Sequence, residues 1–579
     1  MLAPIVFGLW VFHYYYGIWF TDPTYISWMV GNGDFETWLL GWQFFRNEPW
    51  LWPPGKFLRY GFPYGGSVAL TGSIPLVAIP LKLFSHHLTV DFQYFGAWMA
   101  LCYVLQACAG AMLTRLATKN PLAILAGALL FVSIPLLVVM QMCCIGTHWL
   151  LLFALWLYLV DYKRVLQLRT FIALSVSLNI MAMAVFPYLA AMVFALSCAL
   201  YVRLGIIEKS ISRKSMYSLL GGVALADLLS LYLAGGFVIP MKDFTNATGL
   251  EWPLALDGLF SSGGFSRFRF MGTYSPLYGG ERYMYLGLGL LLIGLLGACS
   301  FVIKEWRKRR SRESNPDIGS PIRWKYWAPL IVVCSVFLFY AISNNVYLDC
   351  DHRLFNFPLP NLFLKLVLPF RECARFFWPC YYLIIFLIIL SVLKGFDYRI
   401  ATALLWFAVA IQLCEFKGIP GKEKWNAPLK GQLLTGLVGG GHISYATPLK
   451  DSVWQHIRDY KGITIFPNVY RVKTVDDFFY FDYLAANHGL FATCAYLARN
   501  NDKEVEYLKT MIQDVKKGHV DGSLIYVLNN VERDILMPWF SKEGICGIVD
   551  GYTVCVKNSD NDFCRELKHR NPEVGIHRL

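Results

Sequence analysis

Charged residues are scarce in this sequence: Asp, Glu, Lys and Arg together make up 16% of its 579 residues. Soluble globular domains carry about 25% charged and about 45–50% apolar residues, whereas this chain is 56% hydrophobic. The shortage of charge excludes an ordinary water-soluble protein and is typical of a chain that crosses a membrane many times. The 19 Trp and 33 Tyr residues fit that class, because their rings favour water–lipid boundaries.

The sequence also lacks the residue spacing of a structural zinc site. None of its 15 cysteines has the spacing of zinc ligands. Most of the cysteines lie in apolar runs, where Cys behaves as a small apolar residue. The tail carries Cys494, Cys546, Cys555 and Cys564. In an oxidising compartment these four permit two disulfides, with three alternative pairings. We find no internal repeat and no low-complexity tract.

Apolar runs approaching the roughly 20 residues of a transmembrane helix recur along the chain. They lie at about 3–20, 92–114, 121–140, 147–160, 170–185, 187–204, 216–239, 284–303, 326–343, 376–393 and 399–415. The run at 3–20 has no basic region or cleavage site of a signal peptide, so we expect it to be a span. Pro187 predicts two helices within 170–204. The sequence therefore predicts an all-α polytopic membrane protein with about eleven transmembrane helices.

Segment 72–84 (GSIPLVAIPLKLF) is short and contains Pro75 and Pro80, which favours an interfacial helix over a span. If segment 72–84 does not cross the membrane, Lys and Arg are several-fold denser in the loops on one side of the membrane than in those on the other. The denser loops include KEWRKRRSR at 304–312. The positive-inside rule then places the N-terminus in the cytoplasm and the C-terminus outside. The net charge of +13 is explained by this topology, so we expect no nucleic-acid partner.

The composition changes after Glu415, where a Gly/Pro/Lys-rich stretch leads into alternating strand and helix patterns. This alternation predicts a small α/β domain. We therefore predict a transmembrane domain at 1–415, with a first outer loop at 21–91, and a periplasmic α/β domain at 416–579. The predicted location is the bacterial inner membrane.

The first outer loop contains two acids, Asp34 and Glu36, just before an apolar amphipathic run at 38–45. A carboxylate at a membrane surface can accept the proton of a sugar hydroxyl that attacks an anomeric carbon. Two close carboxylates could instead bind a divalent cation that neutralises a leaving phosphate. The alternative is structural: Asp34 caps the following helix, and Glu36 is a first-turn acid.

Outer-loop arginines are candidate phosphate ligands, because a guanidinium binds phosphate bidentately. Arg371 and Arg375 are four residues apart, directly before a predicted span, so they would share one side of a helical turn. The alternative is interfacial snorkelling. Arg46 and Arg282 are weaker candidates of the same kind. Trp42, Trp50 and Trp52 are candidates for sugar stacking, although such residues more often form an interface belt.

Several short blocks of this chain resemble the GT-C glycosyltransferases. The blocks are DPTYISW (22–28), GDFETWLLGWQFFRNEPW (33–50), SIPLVAIPLK (73–82), ERYMYLGLG (281–289) and ARFFWPCYY (374–382). The GDFE motif is similar to the first-loop motifs of the dolichyl-phosphate-glucose-dependent glucosyltransferases. The sequence also resembles a family of bacterial membrane proteins of unknown function that is related to the GT-C superfamily.

This resemblance implies a GT-C fold and sugar transfer from a polyprenyl-phosphate carrier, generally with inversion. It implies that Asp34 is the essential acid and that 38–45 and 72–84 are juxtamembrane helices. The sequence departs from the family pattern at Gly72, where an acid commonly stands, and after Glu36, where the eukaryotic motif has a His.

The expected enzyme is a hexosyltransferase whose acceptor is a cell-envelope glycan or lipid-linked glycan. Two other functions stay open at this point. One is a lipid-linked glycan transporter or flippase, which usually has charged residues inside its spans; here Asp227 is the main example. The other is a polysaccharide polymerase or ligase. The acidic residues of the first outer loop argue against this second function.

Overall fold

The structure, a computed structural model, is mainly helical and has one five-stranded sheet near the C-terminus. The described residues are 2–30, 33–140, 143–239, 250–268, 282–312, 324–360, 362–363, 367–415, 447–466, 475–493, 495, 497, 502–528 and 533–569. All structural statements below concern these residues.

The helices are numbered in chain order. They are α1 Leu2–Tyr15, α2 Gly33–Asn47, α3 Pro75–Lys82, α4 Phe95–Arg115, α5 Pro121–Val132, α6 Pro135–Met140, α7 Trp149–Leu159, α8 Leu168–Val185, α9 Pro187–Val202, α10 Arg213–Leu233, α11 Leu288–Arg312, α12 Trp324–Ile342, α13 Trp378–Gly395, α14 Tyr398–Glu415, α15 Val475–His488, α16 Asp502–Lys516, α17 Arg533–Leu536 and α18 Asp562–His569. The strands are β1 Lys56–Phe57, β2 Gly66–Ser67, β3 Asn345–Tyr347, β4 Arg353–Asn356, β5 Gly462–Phe466, β6 Phe491–Ala492, β7 Leu524–Leu528, β8 Gly544–Val549 and β9 Tyr552–Lys557.

Seven helices in the described part of the chain are long and apolar enough to cross a membrane. They are Phe95–Arg115, Leu168–Val185, Pro187–Ile207, Arg213–Leu233, Trp324–Ile342, Cys373–Gly395 and Tyr398–Glu415. Shorter apolar helices are Leu2–Tyr15, Pro121–Val132, Trp149–Leu159 and Leu288–Lys304. These helices indicate a multi-pass membrane protein, while the count of eleven spans and their orientation stay predictions.

The predicted helix break at Pro187 is confirmed, and the interfacial position of segment 72–84 stays a prediction. Helices α8 and α9 are separated at Phe186, and Pro187 begins α9, as expected for a residue whose fixed φ suits the first helical position. In segment 72–84 the helix α3 has only eight residues. It is about 12 Å long, far short of the roughly 30 Å of a bilayer core.

The described contacts divide the chain into two compact units. The helical unit contains Met1–Asp22, Tyr94–Leu228 and Ala247–Gln432, and the mixed unit contains Pro23–Gln93, Leu229–Asn246 and Leu433–Leu579. The first outer loop thus belongs to the same unit as the tail. The predicted boundary at 415/416 adjoins residues outside the described set and stays a prediction.

The sheet of the tail has the strand order β6-β5-β7-β9-β8. β5 is parallel to both β6 and β7, and β9 is antiparallel to β7 and β8. Helices α15 and α16 provide the connections that parallel neighbours require. Apolar side chains such as Phe466, Tyr526 and Phe540 pack together against this sheet. The predicted C-terminal domain of strands and helices is confirmed.

One disulfide joins Cys546 and Cys555, which face each other on β8 and β9. Cys564 is a buried free thiol, and Cys494 lies outside the described residues. The tail cysteines therefore form one of the predicted bridges within the described part of the chain.

We expect replacement of both Cys546 and Cys555 by Ala to lower the free energy of unfolding of the tail by about 2–3 kcal/mol, because the bridge closes a short loop in the unfolded chain. Thermal melting with and without reductant measures this effect. The wild type in reductant should melt like the double variant, and Cys564→Ala should keep its response to reductant. A melting curve of the double variant equal to that of the oxidised wild type would contradict the prediction.

Candidate functional site

The first turn of α2 holds the two predicted acids in different environments. Asp34, the second residue of the helix, is exposed, whereas Glu36 is 0% exposed. Because α2 begins at Gly33, both carboxyls lie where the helix dipole favours negative charge. Asp34 can meet a substrate from solvent, and Glu36 belongs to the packed interior of the mixed unit.

Glu36 lies within electrostatic range of a second buried carboxyl, Asp482 of α15. This helix packs against α2, and Asp482 is 2% exposed. Burial raises the pKa of Asp482 well above its usual range, and Glu36 raises that pKa further. Oδ2 of Asp482 has no hydrogen-bond partner among the described residues. The negative charge of Glu36 thus adds to burial in disfavouring the ionised form of Asp482.

The body of α2 is buried on all sides from Phe35 to Arg46, unlike the amphipathic surface helix that the sequence predicts. The physical reason is that two parts of the mixed unit cover it. One is α15, and the other is segment 85–92, whose carbonyls accept hydrogen bonds from side chains of α2.

Arg46 is central to that second contact. Its two terminal nitrogens donate to the carbonyls of Ser85, Leu88, Thr89 and Val90 at 2.9–3.4 Å. A guanidinium bound to four carbonyls serves first to hold segment 85–92 on α2. The predicted phosphate role of Arg46 stays a prediction, and these contacts do not favour it.

The three candidate stacking residues of the first outer loop differ in exposure. Trp42 is fully buried, whereas Trp50 is 47% exposed and Trp52 is 68% exposed. Nε1 of Trp52 donates to the hydroxyl of Tyr232 at 2.9 Å, and Tyr232 lies near the end of the candidate span α10. The position of Trp52 favours the interface-belt interpretation over sugar stacking.

In the helical unit, Arg371 and Arg375 both act on Glu372. Nε of Arg371 donates to Oε1 of Glu372 at 2.8 Å and lies 3.8 Å from Oε2 of Glu251. Arg375 is buried, with its guanidinium carbon 4.6 Å from the ring centre of Tyr188. The hydroxyl of Tyr188 also donates to Glu372.

This cluster keeps Glu372 ionised. Burial raises the pKa of Glu372, but Arg375, the Tyr188 hydroxyl and Arg371 together lower it more, so the net shift is downward. Two guanidiniums surround one carboxylate here, with Glu251 near Arg371. The structure therefore brings the two predicted arginines to one carboxylate and adds acids that sequence analysis missed. The expected helical turn is wrong, because Glu372 has a non-helical ψ of 82° between the short helices Leu368–Phe370 and Cys373–Phe377.

Arg282 contacts aromatic rings and one carbonyl. Its guanidinium carbon lies 4.7 Å from the ring centre of Tyr347 and 5.6 Å from that of Trp252, and Nη1 donates to the carbonyl of Cys350 at 3.3 Å. These contacts fix the side chain through cation–π attraction. Its predicted phosphate role stays a prediction.

Glu415, the last residue of α14, is a buried acid whose role sequence analysis missed. It is 0% exposed and accepts hydrogen bonds from the Ser266 hydroxyl at 2.8 Å, the Tyr285 hydroxyl at 2.7 Å and the Leu288 amide at 2.7 Å. Since Leu288 begins α11, the carboxylate fastens that helix and the preceding loop to the end of α14.

The acidic turn does not fit a metal site. The described residues contain no group of three or more His, Cys, Asp or Glu side chains that could hold a metal ion. A divalent cation prefers about six oxygen ligands, whereas Glu36 is enclosed between α2 and α15. We therefore derive no step through a cation.

Comparisons with known proteins identify a family. Residues 5–417 match the family model described as "Domain of unknown function (DUF6311)", and residues 453–557 match the DUF6311 C-terminal domain. A search of curated proteins found no match. Among solved structures, the chain is similar to the Archaeoglobus fulgidus oligosaccharyltransferase tethered with an acceptor peptide, with 11% identity and a TM-score of 0.38 over 96% of this chain and 74% of that one. A likeness at this level does not establish a common fold.

Proposed function

We propose that this chain, which belongs to the DUF6311 family of unknown function, is a membrane glycosyltransferase. The proposed donor is a polyprenyl-phosphate sugar, and the proposed acceptor is a cell-envelope or lipid-linked glycan on the periplasmic side of the bacterial inner membrane. The observation that carries the proposal is Asp34, an exposed carboxylate in the first turn of an otherwise buried helix. The residue blocks that resemble GT-C enzymes support it.

In the proposed reaction, Asp34 accepts the proton of an acceptor hydroxyl. The hydroxyl oxygen forms a bond to the anomeric carbon of the sugar while the bond from that carbon to the phosphate oxygen breaks. Polyprenyl phosphate leaves with the bonding electrons, and the configuration at the anomeric carbon is inverted. Because Glu36 is enclosed, we assign it to positioning instead of direct substrate contact.

Arg371 and Arg375 are the proposed ligands of the donor phosphate. Arg375 is buried and stacked on Tyr188, so its side chain is already ordered before a phosphate binds. Arg371 is half-buried and forms ion pairs with both Glu372 and Glu251. A phosphate would compete with those carboxylates for the guanidiniums, and the negative charge that polyprenyl phosphate gains as it leaves would favour that exchange.

A transporter of lipid-linked glycans is the second candidate, favoured by one observation. Asp227 is buried within the candidate span Arg213–Leu233, and its Oδ1 has no hydrogen-bond partner among the described residues. Acids inside spans commonly mark ion or substrate paths.

The deciding experiment supplies purified full-length protein in lipid nanodiscs with a panel of polyprenyl-phosphate sugars and glycan acceptors. We expect the sugar to appear on the acceptor with an inverted linkage, as read by mass spectrometry and NMR. If folded protein transfers no sugar from any donor, the enzyme proposal fails. Movement of a fluorescent lipid-linked glycan across vesicles, lost in Asp227→Asn, would then establish the transporter.

A further inference from the structure

His148 is a buried histidine of the helical unit that the proposed reaction does not use. It directly precedes α7 and is 0% exposed. Its Nδ1 shares a hydrogen bond with the hydroxyl of Tyr382 at 2.8 Å, and its ring packs on that of Trp378 with centroids 4.2 Å apart. Nε2 has no hydrogen-bond partner among the described residues. Among those residues, the bond to Tyr382 is thus the sole hydrogen bond of this imidazole.

Both contacts of His148 lie at the beginning of α13. Trp378 is the first residue of that helix, and Tyr382 follows one turn later. Residues four apart share one face of a helix, so the imidazole packs on one face of the first turns. Arg375 lies three residues before Trp378, in the short helix that leads directly into α13. His148 therefore fixes the helix start to which the segment that carries Arg375 is joined.

The turn before His148 is itself held by α4. Nε1 of Trp98 in α4 donates to the carbonyl of Cys143 at 3.0 Å and to the hydroxyl of Thr147 at 3.3 Å. The Thr147 hydroxyl donates to the carbonyl of Cys143 at 3.1 Å. Trp98, Cys143 and Thr147 are all buried. The imidazole therefore packs on α13 from a fixed position.

The arginine segment, residues 370–377, also contacts α12. The hydroxyl of Tyr340 in α12 donates to the carbonyl of Phe370 at 2.9 Å, and its ring meets that of Phe376 with centroids 4.8 Å apart. The helix within the segment, Cys373–Phe377, has only five residues. Because so short a helix is not stable by itself, the conformation of the arginine segment depends on the side chains that surround it.

We propose that His148 is a positioning residue for the donor phosphate: it binds Tyr382 and packs on Trp378, and so orders the arginine segment, with Arg375, before the phosphate binds. Ordering a binding residue in advance lowers the entropy cost of association. This inference rests on the proposed function for the identity of the ligand, a polyprenyl phosphate, and for the role of Arg375.

Simple filling of the core explains His148 less well. A buried nitrogen without a hydrogen-bond partner costs stability, so a phenyl ring would pack at this position without that cost. What the imidazole adds to a phenyl ring is the bond to Tyr382. A residue that only fills space would contribute to the free energy of unfolding and leave the affinity for a phosphate unchanged.

The test measures equilibrium binding of radiolabelled polyprenyl phosphate to full-length protein in lipid nanodiscs. Tyr382→Phe and His148→Phe each keep a ring but remove the same hydrogen bond, and each should weaken binding by about 2- to 10-fold. The double variant should bind as weakly as either single variant, because the shared bond is already lost. Binding of polyprenol, which has no phosphate, should be the same in all four proteins.

Tyr158→Phe is the matched control. The hydroxyl of Tyr158, near the other end of α7, donates to the carbonyl of Tyr326 in α12 at 2.6 Å, so this variant also loses one tyrosine hydrogen bond. Its melting temperature should fall as that of Tyr382→Phe does, but its affinity for polyprenyl phosphate should equal that of the wild type. In an Arg375→Gln protein, Tyr382→Phe should cause no further loss of affinity, because its effect acts through Arg375.

Wild-type affinity in both Tyr382→Phe and His148→Phe would overturn the inference. Additive losses in the double variant, or an equal loss in Tyr158→Phe, would do the same. A wild type that binds no polyprenyl phosphate would also refute it. If His148→Phe fails to fold, Tyr382→Phe still decides the question, alone and combined with Arg375→Gln.

Sugar-transfer kinetics separate this inference from the proposed function. Tyr382→Phe should raise KM for the donor and leave kcat nearly unchanged, because the lost bond orders a binding residue and takes no part in the chemical step. Protein that binds polyprenyl phosphate as expected but transfers no sugar would defeat the proposed function alone. Transfer by Tyr382→Phe with an unchanged donor KM would defeat the role of His148 alone.

Discussion

Asp34→Asn is expected to lower the rate of sugar transfer by about 10²- to 10⁴-fold, the usual contribution of a general base. Asn keeps the size of the side chain but cannot accept the acceptor proton. The loss should appear in kcat, since the proton moves only as the reaction proceeds. The assay is initial-rate transfer with saturating donor, using variant protein in nanodiscs.

The fold of this variant should survive. Asp34 is exposed, and the lost attraction between its charge and the start of α2 is worth about 0.3–1 kcal/mol. The matched control is Asp534→Asn, which removes a carboxylate whose side chain is 88% exposed at the start of the short tail helix α17. This control should transfer sugar at the wild-type rate. An Asp34→Asn protein with full activity and a normal melting temperature would remove Asp34 from catalysis.

Much of the helical architecture could be predicted from the sequence because its causes are local. The break between α8 and α9 follows from Pro187, and Pro75 begins the short helix α3, although Pro80 lies inside that helix and does not end it. Such signals act over one or two turns of chain. The alternating pattern of the tail likewise predicted strands and helices, which the structure confirms.

The partners of buried acids could not be predicted, because they come from distant parts of the chain. Asp482 follows Glu36 by more than four hundred residues, and its neighbours in α15 look like those of any amphipathic helix. Arg46 shows the same limit: sequence alone does not separate an arginine that binds carbonyls from one that binds phosphate. The sequence of the tail predicted a separate domain but did not indicate that this domain would pack on α2.

Glu415→Ala is expected to lower the free energy of unfolding by about 3–5 kcal/mol, because it breaks a buried hydrogen-bond network. The substitution leaves two buried hydroxyls and the first amide of α11 without their acceptor. Each unsatisfied buried donor costs about 1–3 kcal/mol. Melting of the detergent-solubilised protein and its unfolding in denaturing micelles measure the loss.

Partner variants separate this network from simple cavity formation. Tyr285→Phe and Ser266→Ala each remove one donor and keep most of the packing, so each should cost about 1–2 kcal/mol. Combined with Glu415→Gln, which keeps an acceptor oxygen, their effects should be less than additive because all three share one carboxyl. Full additivity would mean that the hydrogen bonds act independently. A small loss in Glu415→Ala would mean that the loop before α11 is fastened by its apolar contacts instead.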